Sequence, residues 1–283
     1  MTSVPGVRIR KGNRPHRAPL CGMIQWVPKN SDHDDAGPVS VDYYSDPARF
    51  AANQAATARF SAAGDVHGLV AERLARFAAV PVLDLGGGNG TLARLLTDRG
   101  VPTVVLDQAA HVEQAPRPAV RADAQRLPFT NGSFGAVAAL WMLYHLCAPR
   151  SALVEAARVL RAGGLFVACT SSRFNDPEVA SALPGWGRAF TFDAESAPGM
   201  VADVFTVVDV QRWDMPMITL PDTAAVGLFL RGRGLPQQRA QQLAEGFTTP
   251  LRVTKRGVLV WATRRTEHGK TGHDQRYEEC LRR

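Results

Sequence analysis

Cysteine is scarce in this chain, and the pattern around it excludes several classes of protein. Only four of 283 residues are cysteines, at 21, 147, 169 and 280, with no CxxC pair and no ligand-like spacing. Neither a zinc site nor a disulfide framework is written there. The expectation is buried free thiols, with Cys147 and Cys169 in core elements, and no metal. No stretch approaches the roughly 20 apolar residues that a bilayer-spanning helix needs, and no apolar signal core follows the basic N-terminus. These absences predict a soluble cytoplasmic protein without a membrane partner. Internal repeats are missing, and alanine enrichment is the only compositional bias.

The chain has 45% apolar residues and a length suited to one large α/β domain with accessory parts. Its net charge of +7 invites a nucleic-acid reading, but the excess sits at the ends. Residues 1–29 hold six basic and no acidic side chains and 252–283 hold nine and four, leaving 18 basic and 22 acidic between them. A basic tail can guide phosphate, and flexible basic tails also occur without that role, so a nucleic-acid partner is disfavoured without being excluded.

Residues 1–40 mix Arg, Gly, Pro and Asp with little apolar periodicity and predict a mobile leader, with Met23 as an alternative start. Asp46-Pro47 opens an alanine-rich helix running to residue 63, and 65–79 reads as an amphipathic helix. Strand and helix signals then alternate to about 213, which implies a parallel sheet covered on both faces. Helical segments near 222–232 and 236–246 separate a strand at 204–214 from a final strand at 248–264. The insertion, about 215–247, reads either as a substrate cap or as helices covering a sheet edge. Residues 266–283 predict a frayed tail, leaving one domain over 41–265.

The segment VLDLGGGNG at 82–90 carries the chemistry: a short apolar strand containing Asp84, then glycines at 86, 87, 88 and 90. Glycine alone combines open backbone torsions with no Cβ, so such a turn lets a bulky nucleotide-like ligand approach the main chain. The spacing is GxGxG, and Thr91 stands where a dinucleotide fold would place its third glycine, which argues against NAD. Asp107 ends a second apolar strand, VPTVVLD, where a carboxylate can accept hydrogen bonds from both ribose hydroxyls. Asp123, in RADAQRLPF, or the main chain beside it, is suited to an adenine edge. A fourth strand enters WMLYHL at 141–146, and LRAGGLFVACTSS at 160–172 supplies a fifth.

Over about residues 65–213 these segments resemble the class I S-adenosylmethionine-dependent methyltransferases, in particular the type 11 or ubiquinone-biosynthesis-like group. The resemblance implies a doubly wound, Rossmann-like seven-stranded α/β sheet with an antiparallel last strand inserted between strands five and six. It also implies an N-terminal helical lid, beside which Tyr43 and Tyr44 either line the site or pack the helix. In such families the turn matching Asp84, Gly86, Gly88 and Gly90 wraps the methionine part of S-adenosylmethionine. The acid matching Asp107 binds ribose, with Gln108 beside it also among the implied cofactor-binding positions; Asp123 and Ala124 flank adenine, and Leu140 touches the ribose and methionine side. Gly87 departs from many relatives, which carry Cys, Ser or Thr there, a change read as small.

Trp141 and Tyr144, with Tyr44, are the expected substrate-side residues. His145 is the candidate general base, since imidazole suits neutral pH, although it is also placed to cap the next helix or touch cofactor. His67 and His111 read as surface positions. The chain lacks an Asn-Pro-Pro-Tyr-like run after strand four, a nucleophilic cysteine for pyrimidine carbon methylation, and an acid cluster for magnesium. A small-molecule acceptor is the leading reading. RNA-directed methylation and a non-catalytic S-adenosylmethionine-binding regulator are the alternatives, and the oligomeric state is left open.

Overall fold

A computed structural model describes Val4, Val7, Arg8 and residues 46–62, 66–77 and 79–265. Tyr43, Tyr44, the tail and most of the leader lie outside these residues. Helix α1 spans Pro47–Phe60, and Asp46 caps it by accepting a hydrogen bond from the Arg49 amide at 3.0 Å. Helix α2, Val66–Arg76, leads into β1, Val82–Leu85. Then follow α3, Thr91–Thr97; β2, Thr103–Asp107; β3, Ala119–Arg121; β4, Phe134–Leu140; α4, Pro149–Val159; and β5, Leu160–Ser171. Helix α5, Ala197–Ala202, precedes β6, Thr206–Leu220; helices α6, Thr223–Gly232, and α7, Gln237–Ala244, come before β7, Leu251–Thr263.

The seven strands form one sheet in the order β3-β2-β1-β4-β5-β7-β6, with β7 antiparallel to both neighbours, as the resemblance implies. Strand order reverses between β1 and β4, so the connections leaving them diverge and open a crevice at the carboxyl ends. All four residues of β1 are buried, because both faces of the sheet are covered. Leu83, Val137, Phe166 and Val260 face a core shared with α4 and α5, while Val82, Ala138, Val167 and Trp261 face α2 and α3. Val4 and Val7 pack against the first of these cores, and the carbonyl of Arg8 accepts a hydrogen bond from Thr130 N at 3.0 Å.

Strand β6 runs to Leu220, beyond the expected end at 214, because it stays paired with β7 from Asp214↔Arg256 to Leu220↔Leu251. The extension is a two-stranded ribbon reaching past the end of β5. Pro216, which has no amide hydrogen to donate, sits at a register shift on this edge strand. The ribbon carries a third core in which Ile218, Leu220 and Val253 meet Val226, Phe229 and Leu230 of α6, Ala240 of α7 and Ala56 of α1. The inserted helices therefore enclose apolar side chains of their own.

Two of the cysteines are described. Cys169 is a buried thiol in β5. Cys147, expected as a core thiol, is instead exposed in the surface connection before α4 and is disulfide-bonded.

An ionic cluster joins the third core to the sheet. Asp176 follows β5 with a left-handed backbone, φ 61°, and its buried carboxylate accepts from Arg233 Nε at 2.6 Å and Lys255 Nζ at 2.5 Å. Arg233 also donates to Asn53 of α1 at 2.5 Å and lies over the Phe229 ring at 4.4 Å. Burial alone would raise the pKa of Asp176, but the two cations hold it below its usual value. Burial pushes Lys255 down to about 8, with Arg233 adding to the effect. Removing the anion strands two partly buried cations, so Asp176→Ala is expected to destabilise the fold by about 3–5 kcal/mol in urea denaturation. Adding Lys255→Met to that variant should recover part of the loss.

Candidate functional site

The glycine run forms the β1–α3 connection at the reversal of strand order. Gly86, Gly88 and Gly90 have φ of 68°, 58° and 84°, a left-handed backbone that favours glycine. The amides of Gly86 and Gly87 donate to the Leu106 carbonyl at 2.7 and 3.2 Å, which ties the turn to the end of β2. A Cβ on Gly86 would lie 2.6 Å from Met142 Cβ, so the turn presses against the segment leaving β4. Gly87, expected to be a small departure, is constrained too: a Cβ there would meet the Asp84 carboxyl at 2.4 Å. A larger residue therefore requires Asp84 to turn elsewhere.

Asp84 is 2% exposed, and its Oδ2 has no hydrogen-bond partner among the described residues. Burial pushes its pKa up to about 7; His67 and the Ala93 amide pull the other way, and Asp107 adds to the rise. Asp107, at the tip of β2, is also buried, but its oxygens are engaged. Oδ2 accepts from Gly88 N at 2.9 Å and Oδ1 from Ala109 N at 2.8 Å. A carboxylate has about four lone-pair directions, so two contacts leave acceptor capacity. Its neighbour Gln108 is exposed, and the Gln108 carbonyl accepts from Arg121 Nε at 3.0 Å. Ala122 N donates to the Asp107 carbonyl at 3.0 Å, placing the next loop beside the β2 tip. In that loop Asp123 caps its own turn through Gln125 N at 2.8 Å, and Ala124 is buried against the core.

The strand reversal thus gathers Asp84, Gly86, Gly88, Gly90, Asp107 and Leu140 at the carboxyl ends of β1, β2 and β4, with Gln108, Asp123 and Ala124 on adjoining loops. Leu140 is buried toward α2 and α3. Trp141 follows it with φ 58°, a conformation costing a non-glycine residue about 1–3 kcal/mol. Its amide donates to the Cys169 carbonyl at 3.0 Å, and its ring lies 6.1 Å from Trp213 of β6. Tyr144 and His145 form a short 3-10 turn with ring centroids 4.4 Å apart. Ala148, not His145, occupies the N-cap position of α4. Thr191 Oγ1 donates to the Tyr144 carbonyl at 3.2 Å, fastening the loop after β5 to this turn.

Two histidines read as surface residues belong to this neighbourhood. His111 Nε2 is 3.8 Å from Asp107 Oδ2, and His67, on the first turn of α2, acts electrostatically on Asp84. The Asp107-to-His111 spacing of four residues was the one hint available for the former. Nothing local marks His67, because α2 reaches Asp84 only through tertiary packing.

Residues 83–168 match the family model described as a methyltransferase domain. The demethylmenaquinone methyltransferase of Clavibacter sepedonicus is 28% identical over 188 residues, covering 62% of this chain and 73% of that relative. The chain belongs to the S-adenosylmethionine-dependent methyltransferases. Solved structures share its fold. The YcgJ protein of Bacillus subtilis, 18% identical, aligns over 71% of this methyltransferase and 100% of its own chain with a TM-score of 0.52. The (4+2)-cyclase SpnF, 16% identical, aligns over 82% and 98% with a TM-score of 0.56. Among the described residues, no helix of the methyltransferase is long and apolar enough to cross a membrane, and no group of three His, Cys, Asp or Glu side chains is arranged to hold a metal.

The raised pKa of Asp84 sets a stability dependence on pH. An acid whose folded pKa lies near 7 against 3.8 unfolded favours the folded state most below about pH 3.8, and that advantage is lost as pH rises through 7. Asp84→Asn removes the buried charge. The variant should melt above the parent methyltransferase at pH 8, with the gap closing toward pH 4, in thermal denaturation followed by circular dichroism.

Proposed function

We propose that this methyltransferase binds S-adenosylmethionine in the crevice between β1, β2 and β4 and methylates a small, partly apolar acceptor of quinone type by in-line displacement. The observation that carries the cofactor reading is the orphaned, sealed Oδ2 of Asp84 beneath a turn without side chains. A buried acceptor of this kind suits the protonated amino group of the cofactor's methionine part. Gly86, Gly88 and Gly90 would leave the main chain open to that part, and Asp107 with Gln108 would meet the ribose. Asp123 and Ala124 would border the adenine, with Leu140 at the ribose and methionine side.

Bound S-adenosylmethionine supplies a methyl group on a sulfonium, a leaving group that is already activated. The protein's share is then alignment and exclusion of water. Trp141 and Tyr144 would form the aromatic wall against the acceptor, and His145 would take the proton from an acceptor hydroxyl, an effect typically worth about 10²–10⁴-fold in rate. We read 41–265 as one catalytic unit in which the insertion, about 215–247, caps the acceptor side; its apolar core and the named substrate of the Clavibacter relative both favour an apolar acceptor.

Calorimetric titration with S-adenosylhomocysteine, with NADH as control, tests the cofactor reading: saturable binding of the former alone is expected, and preference for NADH would overturn it. Asp107→Ala should weaken that binding by about 1.5–3 kcal/mol, as for a lost hydrogen bond to a charged group. With a quinol acceptor, His145→Gln should lower kcat far more than it raises KM. Equal loss in both would assign His145 to binding.

A further inference from the structure

The indole of Trp213 is seated by a missing side chain. It lies across β7 at Gly257, where a Cβ would come within 2.2 Å of Trp213 Cζ2. The backbone at Gly257 is not left-handed, so the position needs glycine for space and not for torsion. Gly257 pairs with Trp213 on one side and with Ser171, the last residue of β5, on the other. The ring therefore stands where the sheet ends and the ribbon of β6 and β7 leaves it. Trp141 reaches the same spot from the end of β4. The two rings meet edge to face, with centroids 6.1 Å apart and planes at 72°, and both side chains are half-buried.

Two observations connect this pair to the crevice. Trp141 keeps a left-handed φ of 58°, and strain of that kind persists where the surroundings over-determine it, commonly at binding sites. Met142, the next residue, lies so close to the glycine turn that a Cβ on Gly86 would be 2.6 Å from its own Cβ. The Trp pair thus opens beside the turn assigned above to the methionine part of the cofactor. On the other side Met215, two residues along β6 and on the same face as Trp213, is 51% exposed and continues the apolar surface toward Ile218 and the third core.

We propose that Trp213 is a specificity-determining residue for the acceptor: with Trp141 it forms an aromatic corner that receives a planar, conjugated ring, flat against one indole and edge-on to the other. The inference deepens the acceptor reading above and rests on it. Stacked and edge-to-face contacts reward a ring with π electrons beyond the area it buries, so the corner discriminates against a saturated ring of equal size, which a plain apolar wall would accept.

Calorimetric titration of the full chain, saturated with S-adenosylhomocysteine, with α-naphthol and with its saturated analogue decahydronaphthol tests this. The parent should prefer α-naphthol about three- to tenfold. Trp213→Leu should lose most of that preference while its affinity for S-adenosylhomocysteine stays as in the parent, and Trp213→Phe, which keeps a π face, should retain part of it. Equal affinity of the parent for the two probes, or no binding of either, would overturn the proposal and leave the cofactor reading intact. A preference unchanged in Trp213→Leu, or an equal loss for both probes, would overturn it too and assign Trp213 to packing alone. A parent chain that does not bind S-adenosylhomocysteine loses the cofactor reading and this proposal together.

Discussion

The space left by the missing side chain of Gly87 is filled by the carboxyl of Asp84, and much of the site depends on that exchange of volume. With the carboxyl seated there, the turn can close onto the Leu106 carbonyl, Gly88 can donate to Asp107, and Gly90 can start α3 from a left-handed backbone. Burial of an acid without a full set of donors is costly. The fold tolerates it because β1 is covered on both faces and the sheet positions its carboxyl end rigidly.

Much of this was legible in the sequence, for identifiable reasons. The apolar run ending in an acid and glycines marks a strand-to-helix turn by local chemistry alone, and Asp107 is found by the same rule one strand later. The Asp46-Pro47 start of α1 and the helices α6 and α7 were readable from caps and periodicity. The continuation of β6 to Leu220 was not. Its residues 214–220 include Pro216 and alternate poorly, and they are held in the strand by β7, more than thirty residues away. The Asp176, Arg233 and Lys255 cluster has no sequence signature either, since its members come from a loop, a helix end and a strand that meet only in the folded chain. His67 escaped for the same reason, and Cys147 lay in a connection that hydrophobicity alone placed inside.

The fold narrows the chemistry without fixing it. The (4+2)-cyclase SpnF shares this fold, so identity as a methyltransferase rests on sequence likeness and not on the sheet. Trp141 illustrates the division of labour. Its backbone is held in an unfavourable conformation by Cys169 on one side and its ring reaches Trp213 on the other, so it couples the segment leaving β4 to strand β6 at the far edge of the sheet.

The ribbon and its helices enclose an apolar core separate from the two that flank the sheet. Substitutions within one core disturb neighbours in that core far more than residues across a layer of backbone, because energetic coupling falls away beyond direct contact. The insertion can therefore drift in sequence, lengthen or be exchanged while the strand tips stay in register. One module of this plan can thus be rewritten while the other keeps its packing.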